Sequence, residues 1–256
     1  VVGSRRIFEF DADALTYINA VEAADGEALE FNVKTAYNAF VVGCKSDGVW
    51  NAIKASCIMA GARTLSGALV PLVGVAPSGF NLASGEYSRA SGLKGDGASL
   101  YLSSNRNNNT DSQNNNHNAV FVTEAPTIID KNLIGIGGST IGANSLQIRP
   151  LDGSEFGVRN RFEVVSIQSR SAGTIRFVGS SRTGSSSCVF RARETNSNIT
   201  TSSQTPLAGN VEVFRTTTTN HTDARLSFYS IGESLDLALL DNRVTVLMSG
   251  IQNAIP

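Results

Sequence analysis

The sequence is short of charge, histidine, cysteine and tryptophan, and it has no long apolar run. Charged residues make up 17% of the chain and nearly cancel, leaving a formal net charge of −1. No global field draws in nucleic acid or anionic lipid, so neither is expected as a partner. No uncharged apolar stretch approaches the ~18 residues needed to cross a bilayer. Leu65–Val75 is too short and Pro71 interrupts it, so no membrane partner is expected. No signal peptide is visible, and the chain starts at Val1 rather than Met, so processing or a longer precursor is expected. The three cysteines, Cys44, Cys57 and Cys188, form an odd set that reads as buried thiols packing as small apolar groups.

The two histidines, His117 and His221, fall in segments rich in Asn or Thr and read as exposed loop residues. A Ser–His–Asp arrangement through Asp111 or Asp223 lacks a nucleophile elbow, and no Cys or His pair has zinc-ligand spacing. Gly135-Ile136-Gly137-Gly138 lacks the Lys-Ser/Thr of a phosphate loop and reads as a turn. The sequons at Asn108, Asn198 and Asn220 matter only in a eukaryotic secretory setting.

What the sequence does have is 41% hydrophobic residues, enough for a core, with polarity supplied mainly by Ser, Thr, Asn and 24 Gly. That balance suits many short strands joined by polar turns. Sixteen of the 21 basic residues are Arg, the residue suited to planar bidentate contacts and interfaces. The first ~60 residues carry helical signals. Asp11 or Asp13 caps a helix through Ala14–Ala23, and Asp25-Gly26 stops it. A second helix, from Glu27 to about Val42, aligns Leu29, Val33, Tyr37 and Phe40 in one apolar stripe. A third is expected over Val49–Ala60, with Trp50 in the core and its indole N–H on a backbone carbonyl.

From about Leu93 the hydrophobic period becomes two. Ala98–Ser103, Asn118–Thr123, Ser145–Arg149, Thr174–Val178, Ser187–Ala192, Asn210–Arg215 and Ala224–Tyr229 each alternate, mostly with one apolar and one polar face. Arg161–Ile167 is apolar on both faces and is placed centrally. Turn clusters separate these runs, among them Gly95-Asp96-Gly97, Asp152-Gly153 and Gly179 to Gly184. The pattern is that of a mainly β, antiparallel jelly-roll sandwich. Asn105–Asn118 has eight Asn in fourteen residues and reads as a long solvated loop. A last helix, capped by Ser230 with Glu233 or by Ser234, sets Leu237, Leu240, Val244, Leu247 and Ile251 on one face. That face reads as packing on the sandwich, or else as an oligomer seam with a/d-like spacing.

The runs GLKGDGASLYLS (Gly92–Ser103) and RLSFYSIGESLDLALLDNRVTVLM (Arg225–Met248) resemble the early and closing strands of laminin-G-like, concanavalin A-type domains. More narrowly, the sequence is similar to proteins with this domain encoded by tailed, especially aquatic, bacteriophages. That resemblance rests on Val41–Gly74, SNRNNNTDSQNNNH (Ser104–His117) and YSIGESLDLALLDNRV (Tyr229–Val244). It implies a helical lead-in or attachment segment over residues 1–77 and a concanavalin A-like sandwich with closing helix over 78–256. It also implies a virion component on the particle exterior (fibre, appendage or capsid decoration) that contacts other virion proteins, forms a homo-oligomer and touches host surface polysaccharide. A free extracellular carbohydrate-binding module is the alternative, and a polysaccharide-cleaving enzyme a further one.

Glycosidases on this fold resemble one another in a Glu-x-Asp-x-x-Glu strand motif, which is missing here. The nearest acidic cluster, Glu9 to Asp13, reads as helix capping, and Glu194 and Glu212 stand alone in their strands. No catalytic residue is assigned, and the chain reads as a non-enzyme. Ligand contacts are expected from Tyr101, Asn105, Arg106, Asn107 and His117. Calcium is the one cofactor admitted, with oxygen ligands from Asp96, Asn105 and Asp111.

Overall fold

The computed structural model describes residues 9–138, 140–150 and 152–255. Residues 1–8 of the expected lead-in lie outside that description. The described chain opens with helices α1 (Ala12–Asp25) and α2 (Phe31–Ser46), strand β1 (Ile53–Ile58) and the single-turn helix α3 (Leu65–Ala68). Short strands β2 (Pro71–Val73), β3 (Ser78–Phe80), β4 (Tyr87–Ser88) and β5 (Gly92–Lys94) lead to the long pair β6 (Tyr101–Asn107) and β7 (Asn116–Glu124). A meander follows: β8 (Lys131–Ile136), β9 (Asn144–Ile148), β10 (Glu155–Asn160) and β11 (Ser166–Ser169). A second comprises β12 (Phe177–Arg182), β13 (Ser187–Ala192) and β14 (Thr195–Thr200). Strands β15 (Asn210–Val213) and β16 (Arg225–Gly232) precede the closing helix α4 (Leu237–Ala254).

Among the described residues the strands form two antiparallel sheets. Sheet A runs β14-β13-β12-β7-β16-β1-β2, with β5 also on β16 and β4 on β5; sheet B runs β11-β10-β9-β8-β15-β6-β3. The β-sandwich read from the period of two is therefore observed. Its inter-sheet core joins Val120, Val122, Leu226 and Tyr229 of sheet A to Leu102, Ile134, Leu146, Val158 and Val213 of sheet B. The opposite face of sheet A presents Ala119, Phe121, Phe177 and Phe228 to a second core built with α1, α2 and α4. The middle of sheet A is thus buried on both sides, and β7 and β16 are buried along nearly their whole length.

Both long amphipathic helices follow from their stripes. In α2, Leu29 ahead of the helix and Val33, Tyr37 and Phe40 within it are all buried. Helix α1 is capped as expected, with Asp11 Oδ1 accepting from the Asp13 amide and Gly26 at φ 70° ending it. Helix α4 is capped by Asp236, whose carboxylate accepts from the Ala238 and Leu239 amides, not by Ser230 or Ser234. The oligomer seam is corrected as well. Leu237, Leu240, Val244, Leu247 and Ile251 are at most 2% exposed and lie in the chain's own helical core, so no second chain can share them.

The expected third helix is instead a short 3-10 turn followed by β1, paired with β16. The IKASCI run feeds both cores, Ala55 and Cys57 on one side and Ile58 on the other. A strand covered on both faces loses its alternation and then looks like a buried helix. Because β1 belongs to sheet A, residues 53–58 of the supposed lead-in are part of the sandwich. Trp50 is half-buried in the turn, not core, with Lys45 Nζ 5.8 Å from its ring centroid. Arg161–Ile167 is a turn running into the edge strand β11, with Val164 71% exposed. Gly179 is no turn residue but lies mid-strand in β12, where a Cβ would sit 3.0 Å from Leu237 Cδ2. A side chain there would crowd Phe177 and Leu237, so the glycine gives α4 room against the sheet. All three cysteines are buried free thiols.

If α4 is an internal element, Leu247→Ala should destabilise the fold by about 2–5 kcal/mol, the usual cost of a buried leucine. Denaturant unfolding read beside sedimentation velocity checks this: the expected result is lower stability with unchanged sedimentation. A change in association with unaltered stability would restore the seam.

Candidate functional site

Among the described residues none of sheet B enters the helical core, so its outer face has no helical cover, although Ser103, Asn132, Ser145 and Arg159 on it are at most 8% exposed. Strand register defines that face. Across the sheet, Leu102, Val213, Ile134, Leu146 and Val158 form one lateral row, and all five lie in the inter-sheet core. One residue along each strand, the row becomes Ser103, Glu212, Gly135, Ser145 and Arg159. A further outward row holds Asn132, Gln147, Gly157 and Ile167. Successive side chains of a strand alternate between faces, so both of these rows point away from the core.

The two rows meet in a basin of about 250 Å3 lined by Asp130, Asn132, Gly138, Ser145, Gln147, Arg149, Arg159, Val165 and Asn220. Several of these groups are already engaged. Asn132 Nδ2 donates to Thr216 Oγ1 at 2.9 Å and Asn220 Oδ1 at 2.8 Å. Arg149 lies 3.6 Å from Asp130. Arg159 differs from them. It is 6% exposed, its Nε has no hydrogen-bond partner, and burial lowers its pKa. Gly157 lets the Gln147 side chain lie across the adjacent floor, since a Cβ there would be 2.5 Å from Gln147 Oε1.

Beside the basin is an aromatic stack. Tyr101 lies parallel to Phe80, ring centroids 4.4 Å apart, and the Arg215 guanidinium carbon is 3.1 Å from the Tyr101 centroid. The gap between the rings leaves no room for a guanidinium, so Phe80 and Arg215 cover opposite faces of Tyr101. Glu212 fixes Arg215 with two hydrogen bonds, Nε to Oε2 at 2.7 Å and the second guanidinium nitrogen to Oε1 at 3.0 Å. His221 packs against the same arginine, and burial followed by that positive neighbour lowers its pKa. Tyr101 therefore has no free ring face for a sugar. Phe80, 41% exposed at the end of the stack, presents an aromatic ring to solvent in its place.

The other expected ligand contacts are structural. Asn105 Nδ2 donates to the Ala76 carbonyl at 2.8 Å and Ser78 Oγ at 2.9 Å. Arg106 forks onto Asp111, which is 5% exposed. Asn107 Oδ1 accepts from the Gly209 and Asn109 amides. The solvated loop expected over Asn105–Asn118 is corrected: Asn108, Asp111, Asn116, His117 and Asn118 are all buried. Asn108 donates to the Leu207 carbonyl at 2.9 Å, Asn115 Oδ1 accepts from the Ser234 amide at 2.8 Å, and Asn118 Oδ1 accepts from Ser180 Oγ at 2.6 Å. An amide side chain has a donor and an acceptor, so it can satisfy buried irregular backbone that an apolar residue would leave unpaired.

The calcium set does not converge. Asp96 accepts from the Ala98, Ser99 and Leu100 amides at 2.8–2.9 Å, which holds its carboxyl well below the usual range against its burial. Asp111 is taken by Arg106 and Asn105 by the segment ahead of β3. Among the described residues there is no group of three or more His, Cys, Asp or Glu side chains able to hold a metal. Glu194 and Asp241 share a larger cleft of about 590 Å3, with Arg170, Arg176 and Arg193. Asp241 accepts from Arg191 Nε at 2.7 Å and Thr245 Oγ1 at 3.3 Å, and burial raises its pKa. Glu212 is held by Arg215. Sequence reasoning missed Arg159 and Gln147. Their signal was the polar side of alternating strands, already present in Ser145–Arg149, where Leu146 and Ile148 turn inward and Ser145, Gln147 and Arg149 outward.

No family model and no curated protein matches the chain. Solved structures do. The botulinum neurotoxin serotype D binding domain is similar at 12% identity and TM-score 0.50, over 77% of this chain and 51% of that one. A Trypanosoma rangeli sialidase in complex with 2,3-difluorosialic acid is similar at 8% identity and TM-score 0.49, over 92% of this chain and 38% of that one. Domain 4 of a GH43 extracellular arabinanase from Geobacillus stearothermophilus, in complex with arabinotriose, is similar at 11% identity and TM-score 0.42, over 57% of this chain and 73% of that one. The chain thus spans about half of the neurotoxin chain and well under half of the sialidase. At such identities the likeness is one of fold, an antiparallel β-sandwich.

His117 gives a test of the buried network. Its Nδ1 meets the Glu233 carbonyl, which can only accept, so Nδ1 carries the proton and Nε2 accepts from Ser230 Oγ at 2.8 Å. Burial pushes its pKa from 6.5 down to about 4. The unfolded chain then binds this proton near pH 6.5 while the native chain does not, so stability present above that pH is lost as pH falls toward 4. The expected loss between pH 6.5 and 5 is roughly 2 kcal/mol. Urea unfolding across this range should show it, and His117→Gln should keep only the smaller slope from His221. An equal slope in the variant would remove His117 from the account.

Proposed function

We propose that this chain is a non-catalytic glycan-binding module that holds a polysaccharide against the outer face of sheet B. The observation that carries the reading is the lack of helical cover on that face, together with a basin lined by planar amide and guanidinium side chains. Sugars present many directional hydroxyls and are held by such groups on a rigid sheet. Gln147 supplies both a donor and an acceptor, and Phe80 offers an apolar ring further along the face. The fold supports the reading without identifying the sugar.

The setting we propose is the exterior of a bacteriophage virion, in line with the phrases in Val41–Gly74, Ser104–His117 and Tyr229–Val244. There the module would touch host surface polysaccharide and neighbouring virion proteins. A shallow basin gives weak binding, and many copies on one particle turn it into avidity without turnover. With the α4 stripe internal, any self-association uses another surface.

The purified chain, applied to an array of bacterial surface polysaccharides with calcium and with chelator, should bind one glycan class saturably. Binding should survive chelation, since Asp96 and Asp111 are engaged within the protein, and Gln147→Ala should weaken it several-fold, as loss of one or two hydrogen bonds does. No saturable binding by folded protein would leave a purely architectural role. Release of reducing ends would make the chain an enzyme.

A further inference from the structure

The sheet B basin contains a cation that the described residues leave without a counter-ion. Four arginines of the sandwich are buried: Arg159, Arg161, Arg182 and Arg191. Arg191 pairs with Asp241 at 2.7 Å. Arg161 donates to the Asn108 and Ser112 carbonyls, and Arg182 donates to the Asn160 carbonyl at 3.1 Å. Arg161 Nε and one terminal nitrogen of Arg182 are also unpartnered, but those two side chains are held by carbonyls, whereas among the described residues no hydrogen bond or ion pair holds Arg159. Its Nε is unpartnered, and the one carboxylate in the basin, Asp130, faces Arg149. Gln147 and Ser145 are neutral, and Val165 is apolar. A guanidinium stays protonated, so an unpaired one in a buried place is costly unless something outside the fold offsets it.

Resting on the glycan-binding reading, we infer that the basin recognises an acidic sugar unit, whose carboxylate or sulfate group docks on Arg159. The planar guanidinium fork matches such an oxyanion with two parallel hydrogen bonds. The space supports one sugar residue of a longer chain: about 250 Å3 lies below the ~300–1,000 Å3 of pockets that enclose whole small-molecule ligands. Gln147 lies across Gly157 beside Arg159, where its amide can take the sugar's hydroxyls.

The test is binding of the full chain to polygalacturonate, alginate and hyaluronan, each also with its carboxyls reduced to alcohols, and to dextran sulfate and dextran. The wild type and Arg159→Met are compared, with unfolding midpoints measured beside affinity. The expected result is binding to at least one uronate polymer that falls on carboxyl reduction and by ~30-fold or more in Arg159→Met, the scale for losing one partner of a buried charge pair. Arg159→Met should be at least as stable as wild type, because it removes an uncompensated charge. Arg159→Lys should bind between the two. Dextran sulfate binding that also depends on Arg159 would extend the recognised group to sulfate. Binding only to neutral or carboxyl-reduced polymers, indifferent to Arg159→Met, would overturn the inference and leave the glycan-binding reading standing. Binding to none of them, nor to any array glycan, would overturn both. A variant less stable than wild type would show that Arg159 serves the fold, and would also overturn the inference.

Discussion

Burial of sheet A on both faces is the constraint from which the rest of the molecule follows. Strands β7 and β16 pair through the middle of that sheet, with Val120 and Tyr229 facing sheet B and Phe121 and Phe228 facing the helices. A polar residue on either face of these strands therefore needs its own partner inside the protein. The helices cannot be separated from the sandwich without exposing Phe40, Phe121, Phe177 and Phe228 together. Helices α2 and α4 also close against one another, and Arg243 ties them at the rim by forking onto Asp47 at 2.6 and 2.8 Å. With one side of the sandwich under helices, the outer face of sheet B has no helical cover, and its basin is where we propose a ligand sits.

Where the core meets irregular backbone, the chain uses amides and guanidinium groups in place of apolar side chains. Asn108, Asn115, Asn118 and Asn132 bind backbone or neighbouring polar groups across large sequence separations. Arg161 and Arg182 work similarly on carbonyls. Such networks are sensitive to the loss of any member, because an unpaired buried group is penalised more heavily in a low-dielectric interior. They also explain why an Asn-rich segment is fixed here. Its hydrogen-bonding capacity is used internally, joining the β6–β7 connection to β15 and to the approach to α4.

The sequence revealed those parts of the fold that have one wet face. The stripes of α2 and α4 and the alternation of β9 and β13 were visible because polar residues mark the outer side, while β16, buried on both faces, was visible because Arg225 and Ser227 kept the period of two. Strand β1 was not, since burial on both sides erased its alternation and left an apolar run that also fits a helix. The buried Asn and His117 were misjudged for a related reason: composition reports polarity, and polarity means solvent only when no internal partner exists. The expected ligand residues Tyr101, Asn105, Arg106 and Asn107 each have an internal partner that only the fold brings near. For Arg159 the local signature is no more than a place on the polar side of a strand. It is one arginine among sixteen, set apart by what surrounds it in space.

The helices occupy one side of the sandwich, and we propose that the other side binds glycan. The most direct test is a titration of isotope-labelled protein with an oligosaccharide of the glycan class selected on the array, following backbone amide resonances. Perturbations should cluster at Asn132, Ser145 to Arg149 and Gly157 to Arg159, with the helices unaffected. Perturbations centred on Arg170 to Thr174 and Thr245, or on α1 and α2, would place the ligand elsewhere and contradict the account.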